Sequence, residues 1–251
     1  MIVRSAGGTD VGKRRTLNED AWLSDDELSV YFVADGMGGH AAGEIASAEA
    51  VETAHGMVVR ARPTLNLLKE PLVESDARAA KRAMESAIQA ATYMVFSMAE
   101  LDREKTGMGT TMSGMIVLGD FGVIGQVGDS RIYQIRDGMA DQVTEDHTLI
   151  AWQLRQGLIT PEEARHSTQK NVITRAVGNR EYVQVDTMIV PLEIGDKFLL
   201  CSDGLHGYLR QSEIPEIAEL GGDAAVQRFI TLANERGGRD NITVILVEVG
   251  E

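Results

Sequence analysis

Cysteine is almost absent from this 251-residue chain, which contains only Cys201. A single cysteine excludes an intramolecular disulfide framework and a cysteine-rich zinc site, and it fits a reducing compartment. Long apolar runs are also missing, because nowhere do about 18 consecutive apolar residues occur. The first residues, MIVRSAGGTD, lack the apolar core of a signal peptide. These absences predict a cytoplasmic protein.

Positive charge is scarce in the chain. The 24 Lys and Arg residues are outnumbered by 38 Asp and Glu residues, which gives a formal net charge of −14. Such a surface repels nucleic acid and anionic lipid, so neither is expected as a partner, and a phosphorylated substrate needs a local positive site. The basic run Lys13-Arg14-Arg15 is either a solvated surface run or, beside Glu19 and Asp20, a source of the planar guanidinium fork that suits phosphate.

Apolar residues make up 43% of the chain and charged residues 25%, which is enough for the hydrophobic core of a globular protein. No internal repeat and no linker-like stretch divides the chain. A single domain over residues 1–251 is therefore expected.

Hydrophobic periodicity predicts helices that are separated from runs of strands. The Gly119-Asp120 and Gly128-Asp129 breaks indicate antiparallel hairpins. In the second helix, Ala79, Ala83, Ala87, Ala90, Met94 and Met98 are predicted to share one face. This order of elements favours an α+β layered fold over alternating βαβ units. Helices are predicted at about 41–60, 75–101, 146–165, 212–219 and 223–236, and strands at 28–34, 109–119, 121–128, 130–136, 182–190, 196–201 and 242–249.

Acidic residues recur where apolar strands run into glycine or polar turns. Because hard divalent cations prefer carboxylate and carbonyl oxygens, several such strand ends gathered at one edge would form an all-oxygen metal site. The alternative is that each acidic segment is an ordinary turn sequence. Five such segments that border apolar strands favour a metal cluster. The five places are Asn18-Glu19-Asp20, Asp35-Gly36, Asp129-Ser130, Ser202-Asp203-Gly204 and Arg239-Asp240-Asn241.

Other motifs carry less weight. The run Gly7 to Lys13 imitates a phosphate-binding P-loop, but Arg14 stands where Ser or Thr would be needed to hold magnesium. The five histidines have no zinc-ligand spacing. Cys201 ends an apolar strand and is expected to be a buried structural thiol rather than a nucleophile.

The chain resembles the metal-dependent protein serine/threonine phosphatases of type 2C, in their compact bacterial form. The resemblance covers nearly the whole chain, in the expected order and spacing of motifs. The motifs are TDVGKRRTLNEDA at 9–21, VADGMGGHAAGEIAS at 33–47, MGTTMSG at 108–114, QVGDSRIY at 126–133, TEDHTLI at 144–150, NVITRAVG at 171–178, LLCSDGL at 199–205 and GGRDNITVILVEV at 237–249.

The resemblance implies a four-layer αββα sandwich, in which two central antiparallel sheets are flanked by helix pairs and a cleft at one end holds two divalent ions, Mn²⁺ or Mg²⁺. It implies that Asp35 bridges both ions, that Asp203 and Asp240 complete one site, and that the Gly36 carbonyl serves the other. Glu19 and Asp20 act through metal-bound waters. A third ion is implied at Asp129 together with Asp203.

For catalysis, the resemblance implies that Arg15 grips the substrate phosphate while a hydroxide attacks phosphorus in line. This hydroxide bridges the two ions that Asp35 also bridges. Either His40 or a metal-bound water donates the proton to the leaving serine or threonine oxygen. The segment at about 146–170 corresponds to the family's variable flap, which either packs on the body or gates the cleft.

The leading functional hypothesis is a phosphatase that acts on phosphoserine and phosphothreonine in proteins and opposes a cognate bacterial serine/threonine kinase. Two alternatives stay open: a catalytically inactive phosphatase-like module that binds phosphoproteins, and a phosphomonoesterase for small molecules. A monomer is expected. The intact set of Asp35, Asp203 and Asp240 argues against the inactive module, since such a module has no chemical need for a complete metal cage.

Overall fold

A computed structural model of the chain describes residues 1–38, 42–68, 73–169 and 171–251. Within these ranges no helix has the length and apolar character that crossing a membrane requires. The strands are β1 (Ile2–Asp10), β2 (Asp20–Asp25), β3 (Val30–Met37), β4 (Gly109–Thr110), β5 (Met112–Leu118), β6 (Phe121–Val127), β7 (Arg131–Arg136), β8 (Met139–Gln142), β9 (Asp186–Pro191), β10 (Lys197–Cys201) and β11 (Ile242–Gly250). The helices are α1 (Gly43–Leu65), α2 (Glu74–Leu101), α3 (Leu149–Arg155), α4 (Pro161–His166), α5 (Asp203–His206), α6 (Ile214–Ala218) and α7 (Gly222–Glu235).

The strands form two antiparallel sheets. Sheet A has the order β1-β11-β10-β7-β8, and sheet B has the order β2-β3-β5-β6-β9, with β4 paired to β3. The first and last strands are neighbours over their whole length, from Ile2 opposite Gly250 to Asp10 opposite Ile242. The two ends of the chain therefore contribute to the same sheet.

The sheets are buried on both faces, which explains their long apolar runs. In β3, Tyr31 and Val33 point into the core between the sheets, while Phe32 and Ala34 pack against α1 and α2. On the other side, Leu246 of β11 packs with α6 and α7. Each fully buried apolar side chain contributes roughly 1.5–3 kcal/mol. The result is the predicted four-layer αββα sandwich, and the α+β class is confirmed.

The buried face of α2 differs from the predicted one. Its buried residues are Ala80, Met84, Ala87, Ile88, Ala91, Thr92, Val95 and Ala99, and Met94 is exposed. Ala87 is the one residue common to both sets. The alanine-rich stretch allows more than one helical stripe, and the larger Met84, Ile88 and Val95 decide which stripe the sheet covers.

Two predictions about strand ends are wrong. The break at Gly128-Asp129 is not a hairpin, because β6 belongs to sheet B and β7 to sheet A. Gly128 has φ +101°, a conformation that suits glycine, and the chain there crosses from one sheet to the other. Strand β3 does not stop before Asp35 but continues to Met37, paired first with β2 and then with β4. The strands β1, β2 and β8 were not predicted.

Candidate metal centre and active site

Sheet B supplies two carboxylates that face each other across neighbouring strands. Asp20 is the first residue of β2, and it is opposite Asp35 of β3 in the strand register. Thr111 fixes Asp35, because the Asp35 amide donates to Thr111 Oγ1 at 2.9 Å and the Thr111 amide donates to the Asp35 carbonyl at 2.9 Å. Both acids are thus placed by regular strand pairing rather than by a loop.

Sheet A supplies the acids that come late in the sequence. Asp203 opens α5 directly after β10, and Asp240 lies just before β11. Gly204 lets these segments meet, since a Cβ at this position would overlap the main-chain carbonyl of Asn241. No side chain other than hydrogen fits there without movement of the backbone.

Ser202 joins the two groups of acids. Its hydroxyl donates to Asp20 Oδ2 at 2.8 Å and accepts from the Thr243 amide at 3.0 Å. A residue of sheet A therefore holds a carboxylate of sheet B, which fixes the distance between the two strand ends.

The pKa values show how strongly the acids interact. Burial and the charge of Asp20 raise the pKa of Asp35 well above its usual range. Burial raises the pKa of Asp20 to about 7, although hydrogen bonds from hydroxyl groups oppose the shift. Burial and neighbouring carboxylates also raise the pKa of Asp203, and they raise that of Asp129 to about 7. Like charges have converged at a site with little water to screen them.

The donor set fits hard divalent cations. Asp20 Oδ1 is buried, and it has no hydrogen-bond partner among the described residues, so it is an acceptor that still lacks a cation or a donor. The charge of Asp203 also helps to raise the pKa of Asp35, so these two carboxyls lie near each other. In the described part of the chain no three acidic, His or Cys side chains already converge as the ligands of one ion. The oxygen ligands are therefore near one another without yet forming the coordination shell of one ion.

The main chains of Gly36 and Glu19 lie against each other at the edge of this cluster. The Gly36 amide donates to the Glu19 carbonyl at 3.0 Å, and Ser47 Oγ donates to the same oxygen at 2.6 Å. The Glu19 amide donates to Asn241 Oδ1 at 2.8 Å. A Cβ on Gly36 would overlap the main-chain oxygens of Glu19 and Gly43. Only glycine lets the backbone pass this close to the acids.

Arg15 lies at the open side of the cluster. Its guanidinium holds Asp240 through two contacts, Nε to Oδ1 at 2.9 Å and Nη2 to Oδ2 at 3.0 Å, and its Nη1 is 3.4 Å from Glu19 Oε2. The side chain is 46% exposed. A planar cation therefore faces solvent from the edge of an acidic site.

Asp129 sits at the crossover between the sheets. His147 holds the preceding Gly128 on both sides, because its amide donates to the Gly128 carbonyl at 2.8 Å and its Nδ1 accepts from the Gly128 amide at 3.2 Å. His206 Nε2 donates to the Asp129 carbonyl at 2.9 Å. Burial lowers the pKa of both histidines, that of His206 to about 4, so both are neutral supports at pH 7.

A cavity of ≈470 Å³ opens beside Asp129 and Asp203. Leu154 of α3 and Ala164 and Arg165 of α4 line its opposite wall. The segment predicted as a flap therefore forms one side of a cavity whose other side is the acidic cluster.

The sequence-predicted residues thus fall at one end of the sandwich. Hydrogen bonds, ion pairs and mutual charge connect Arg15, Glu19, Asp20, Asp35, Gly36, Asp129, Asp203 and Asp240. The predicted proton donor His40 lies outside the described residues. Sequence reasoning missed the supporting side chains Thr111, His147 and Ser202, although Ser202 directly precedes a predicted ligand and His147 lies inside a quoted motif.

Comparison with known proteins identifies the family. The family model for protein phosphatase 2C matches residues 8–236. The chain belongs to the protein phosphatase 2C family. The resemblance stated from the motifs is confirmed. The serine/threonine phosphatase stp of Listeria innocua is 39% identical over 96% of this chain and 93% of its own length.

Solved structures of protein phosphatase 2C members share the architecture. The Mycobacterium tuberculosis serine/threonine phosphatase PstP/Ppp superposes with a TM-score of 0.87 at 31% identity, covering 100% of both chains. The catalytic domain of PstP in complex with two manganese ions superposes with a TM-score of 0.82 at 31% identity, covering 100% of this chain and 99% of that one.

Proposed function

We propose that this protein phosphatase 2C member removes phosphate from phosphoserine and phosphothreonine in proteins, at the cleft where the two sheets end. Its enzyme class is that of a phosphoprotein phosphatase. The observation that carries the proposal is the meeting of acids from both sheets around the buried Asp20 Oδ1, with Arg15 beside them. This arrangement offers oxygen ligands for cations and a guanidinium for phosphate.

Two or three divalent cations, Mn²⁺ or Mg²⁺, are the proposed cofactors. The residues that would hold them are Asp35, Asp203, Asp240, the Gly36 carbonyl, Glu19 and Asp20, with Asp129 and Asp203 for a third ion. When bound, such cations activate a water as the nucleophile and offset the charge of the phosphoryl oxygens. The excess of buried negative charge and the unpartnered Asp20 Oδ1 support this assignment.

Arg15 is the proposed phosphate-binding residue. Its two contacts with Asp240 already match the spacing of a carboxylate's two oxygens, and phosphate oxygens accept the same paired N–H groups. Because the side chain is half exposed, it can take a substrate phosphate without opening the core. Substrate binding then exchanges one anionic partner of the guanidinium for another.

Two proposed roles remain, the transfer of a proton to the leaving oxygen and the binding of peptide around the phosphoresidue. His40 remains the proposed donor of a proton to the leaving oxygen, with water as the alternative donor. The flap at 146–170 is proposed to bind peptide around the phosphoresidue, which its position across the ≈470 Å³ cavity supports.

The proposed partners are phosphorylated proteins and a cognate serine/threonine kinase. The net charge of −14 supports the absence of nucleic acid and membrane partners. We further propose a cytoplasmic monomer in which residues 1–251 form one catalytic domain.

Phosphate release from a phosphothreonine peptide and from p-nitrophenyl phosphate tests the proposal, with Mn²⁺ or with EDTA. We expect hydrolysis with Mn²⁺ and none with EDTA. The variant Asp240→Asn is nearly isosteric, and we expect it to keep the fold but to lose about a hundredfold or more in turnover. Its matched control is Asp120→Asn, an exposed turn residue, which should keep parental rates. Activity that persists in EDTA, or a fully active Asp240→Asn, contradicts the metal assignment, and inactivity with Mn²⁺ favours the binding module.

A further inference from the structure

A second cavity lies on the outer side of α2, outside the acidic cleft. It has a volume of ≈550 Å³ and is formed between α2 and the segment that leads into β9. Its walls include two tyrosines, Tyr93 and Tyr182, and two glutamates, Glu85 and Glu181. The proposed phosphatase chemistry uses none of these residues.

The two walls of this pocket are held together by one amide side chain. Gln89 of α2 donates through Nε2 to the Glu181 carbonyl at 3.0 Å, and its Oε1 accepts from the Val183 amide at 3.3 Å. Opposite Val95, further along α2, Gly178 has φ +84° and leaves no room for a Cβ. The segment is therefore fixed closely against α2, and the pocket is built into the fold.

The lining of the pocket suits a cation. Tyr93 is 56% and Tyr182 is 63% exposed, although tyrosines of soluble proteins usually bury most of their ring. Ring faces carry negative charge density, which attracts Lys and Arg side chains. Within the described ranges, neither the Glu85 nor the Glu181 carboxylate forms a salt bridge, so their charge is free for an external cation.

We propose that this pocket, lined by Glu85, Tyr93, Glu181 and Tyr182, binds a Lys or Arg side chain of a basic segment in a partner protein. Charge complementarity selects this occupant, since two carboxylates and two ring faces all favour a cation. A long aliphatic stem lies along the rings while the charged end meets the carboxylates. An acidic or neutral segment gains nothing from either group.

The position of the pocket connects it with the cleft. The segment that forms one wall makes an isolated bridge from Ile173 to Thr148, just before α3, and another from Val177 to Thr110, in β4. Thr110 in turn donates to the Asp35 carbonyl at 2.9 Å. From Val177 to Tyr182 is five residues along the chain, at most about 18 Å when extended. A protein held at the pocket is therefore within reach of the phosphatase site.

Direct binding tests the proposal without relying on catalysis. The full chain is titrated into a fluorescently labelled, unphosphorylated Arg- and Lys-containing peptide, and anisotropy gives the Kd. Replacing both rings with Tyr93→Ala and Tyr182→Ala should weaken binding about tenfold, because each ring contributes a few-fold. Both side chains are exposed, so the fold should be preserved.

A charge-matched pair of variants separates the pocket from the general acidity of the surface. Glu85→Lys and Glu100→Lys make the same change on the exposed surface of the same helix, and only Glu85 lines the pocket. We expect a clearly larger loss of peptide binding for Glu85→Lys. Equal losses, or parental binding by the double tyrosine variant, would overturn the proposal. Hydrolysis of p-nitrophenyl phosphate should be parental in all of these variants.

Discussion

Replacing Asp20 with Asn should stabilise the metal-free protein, although it removes a proposed active-site residue. The Asp20 carboxyl is buried, and burial with nearby carboxylates raises its pKa from 3.8 to about 7. An asparagine carries no charge to bury. Its carbonyl oxygen can still accept the Ser202 hydrogen bond, and its amide takes the place of the unpartnered oxygen.

The magnitude follows from the difference in proton binding between the folded and unfolded chain. Below pH 3.8 the carboxyl is protonated in both states, so Asp20 costs no stability. As the pH rises to about 7, only the unfolded chain ionises, and folding stability falls. The full cost above about 7 is at most about 4 kcal/mol, since each unit of pKa shift corresponds to about 1.4 kcal/mol.

Urea unfolding in EDTA, from about pH 4 to about pH 8, measures this effect. We expect the free energy of unfolding of Asp20→Asn to exceed that of the parent at the alkaline end, by up to about 4 kcal/mol, and to lose part of its pH dependence. Saturating Mn²⁺ should stabilise the parent more than the variant, because the cation relieves repulsion that the variant lacks. The control is Asp120→Asn, which changes an exposed carboxylate. If the parent and Asp20→Asn have the same pH dependence of stability, or if Mn²⁺ stabilises both equally, the reasoning is refuted.

Three further predictions concern the same end of the molecule. Gly36→Ala should lower the free energy of unfolding in urea by at least about 3 kcal/mol and abolish turnover, because its Cβ overlaps main-chain oxygens. The control Gly56→Ala, whose Cβ meets nothing within 4 Å, should instead raise the free energy of unfolding by about 0.5–1 kcal/mol. Burial lowers the pKa of His206 from 6.5 to about 4, so its neutral form contributes folding stability that is complete above pH 6.5 and is lost as the pH falls towards 4. A His206→Gln variant should therefore have an unfolding free energy that depends less on pH over that range, and an unchanged pH dependence counts against this role. Arg15→Lys should lower kcat/KM for a phosphothreonine peptide about 10–100-fold. The unfolding free energy should change by less than about 1 kcal/mol, because the side chains of the Arg15–Asp240 pair are 46% and 37% exposed. A parental kcat/KM would contradict the assignment of Arg15 to phosphate binding.

The layered fold could be predicted because its central strands and long helices have strong periodicity. The strand β1 could not, since its glycines resemble a loop. In the structure, the Trp22 ring lies where a Cβ of Gly7 would be, so the glycine makes room for an aromatic side chain of β2 in the facing sheet. Its partner β11 is at the far end of the sequence, and no local pattern reports such a pairing.

The acids of the candidate site could be predicted from the sequence, but their placement could not. Hydrophobic periodicity predicted that β6 and β7 form one hairpin. Two strands of one sheet and two strands of facing sheets have the same alternation of apolar and polar residues, so the pattern does not separate the two cases. The crossover depends on the left-handed conformation of Gly128. Likewise, the Ser202 bond to Asp20 joins residues that are far apart in the chain, and only the folded sheets bring them together.

The pairing of β1 with β11 has a consequence for protein synthesis. Strand β11 occupies the position between β1 and β10 in sheet A, and Asp240 lies two residues before its first residue, Ile242. While residues 242–250 are still inside the ribosome, β1 has no hydrogen-bonded partner in sheet A, and Asp240 is not yet held beside Asp20 and Asp35. We therefore expect a nascent chain to gain phosphatase activity only after residues 242–250 have left the ribosome.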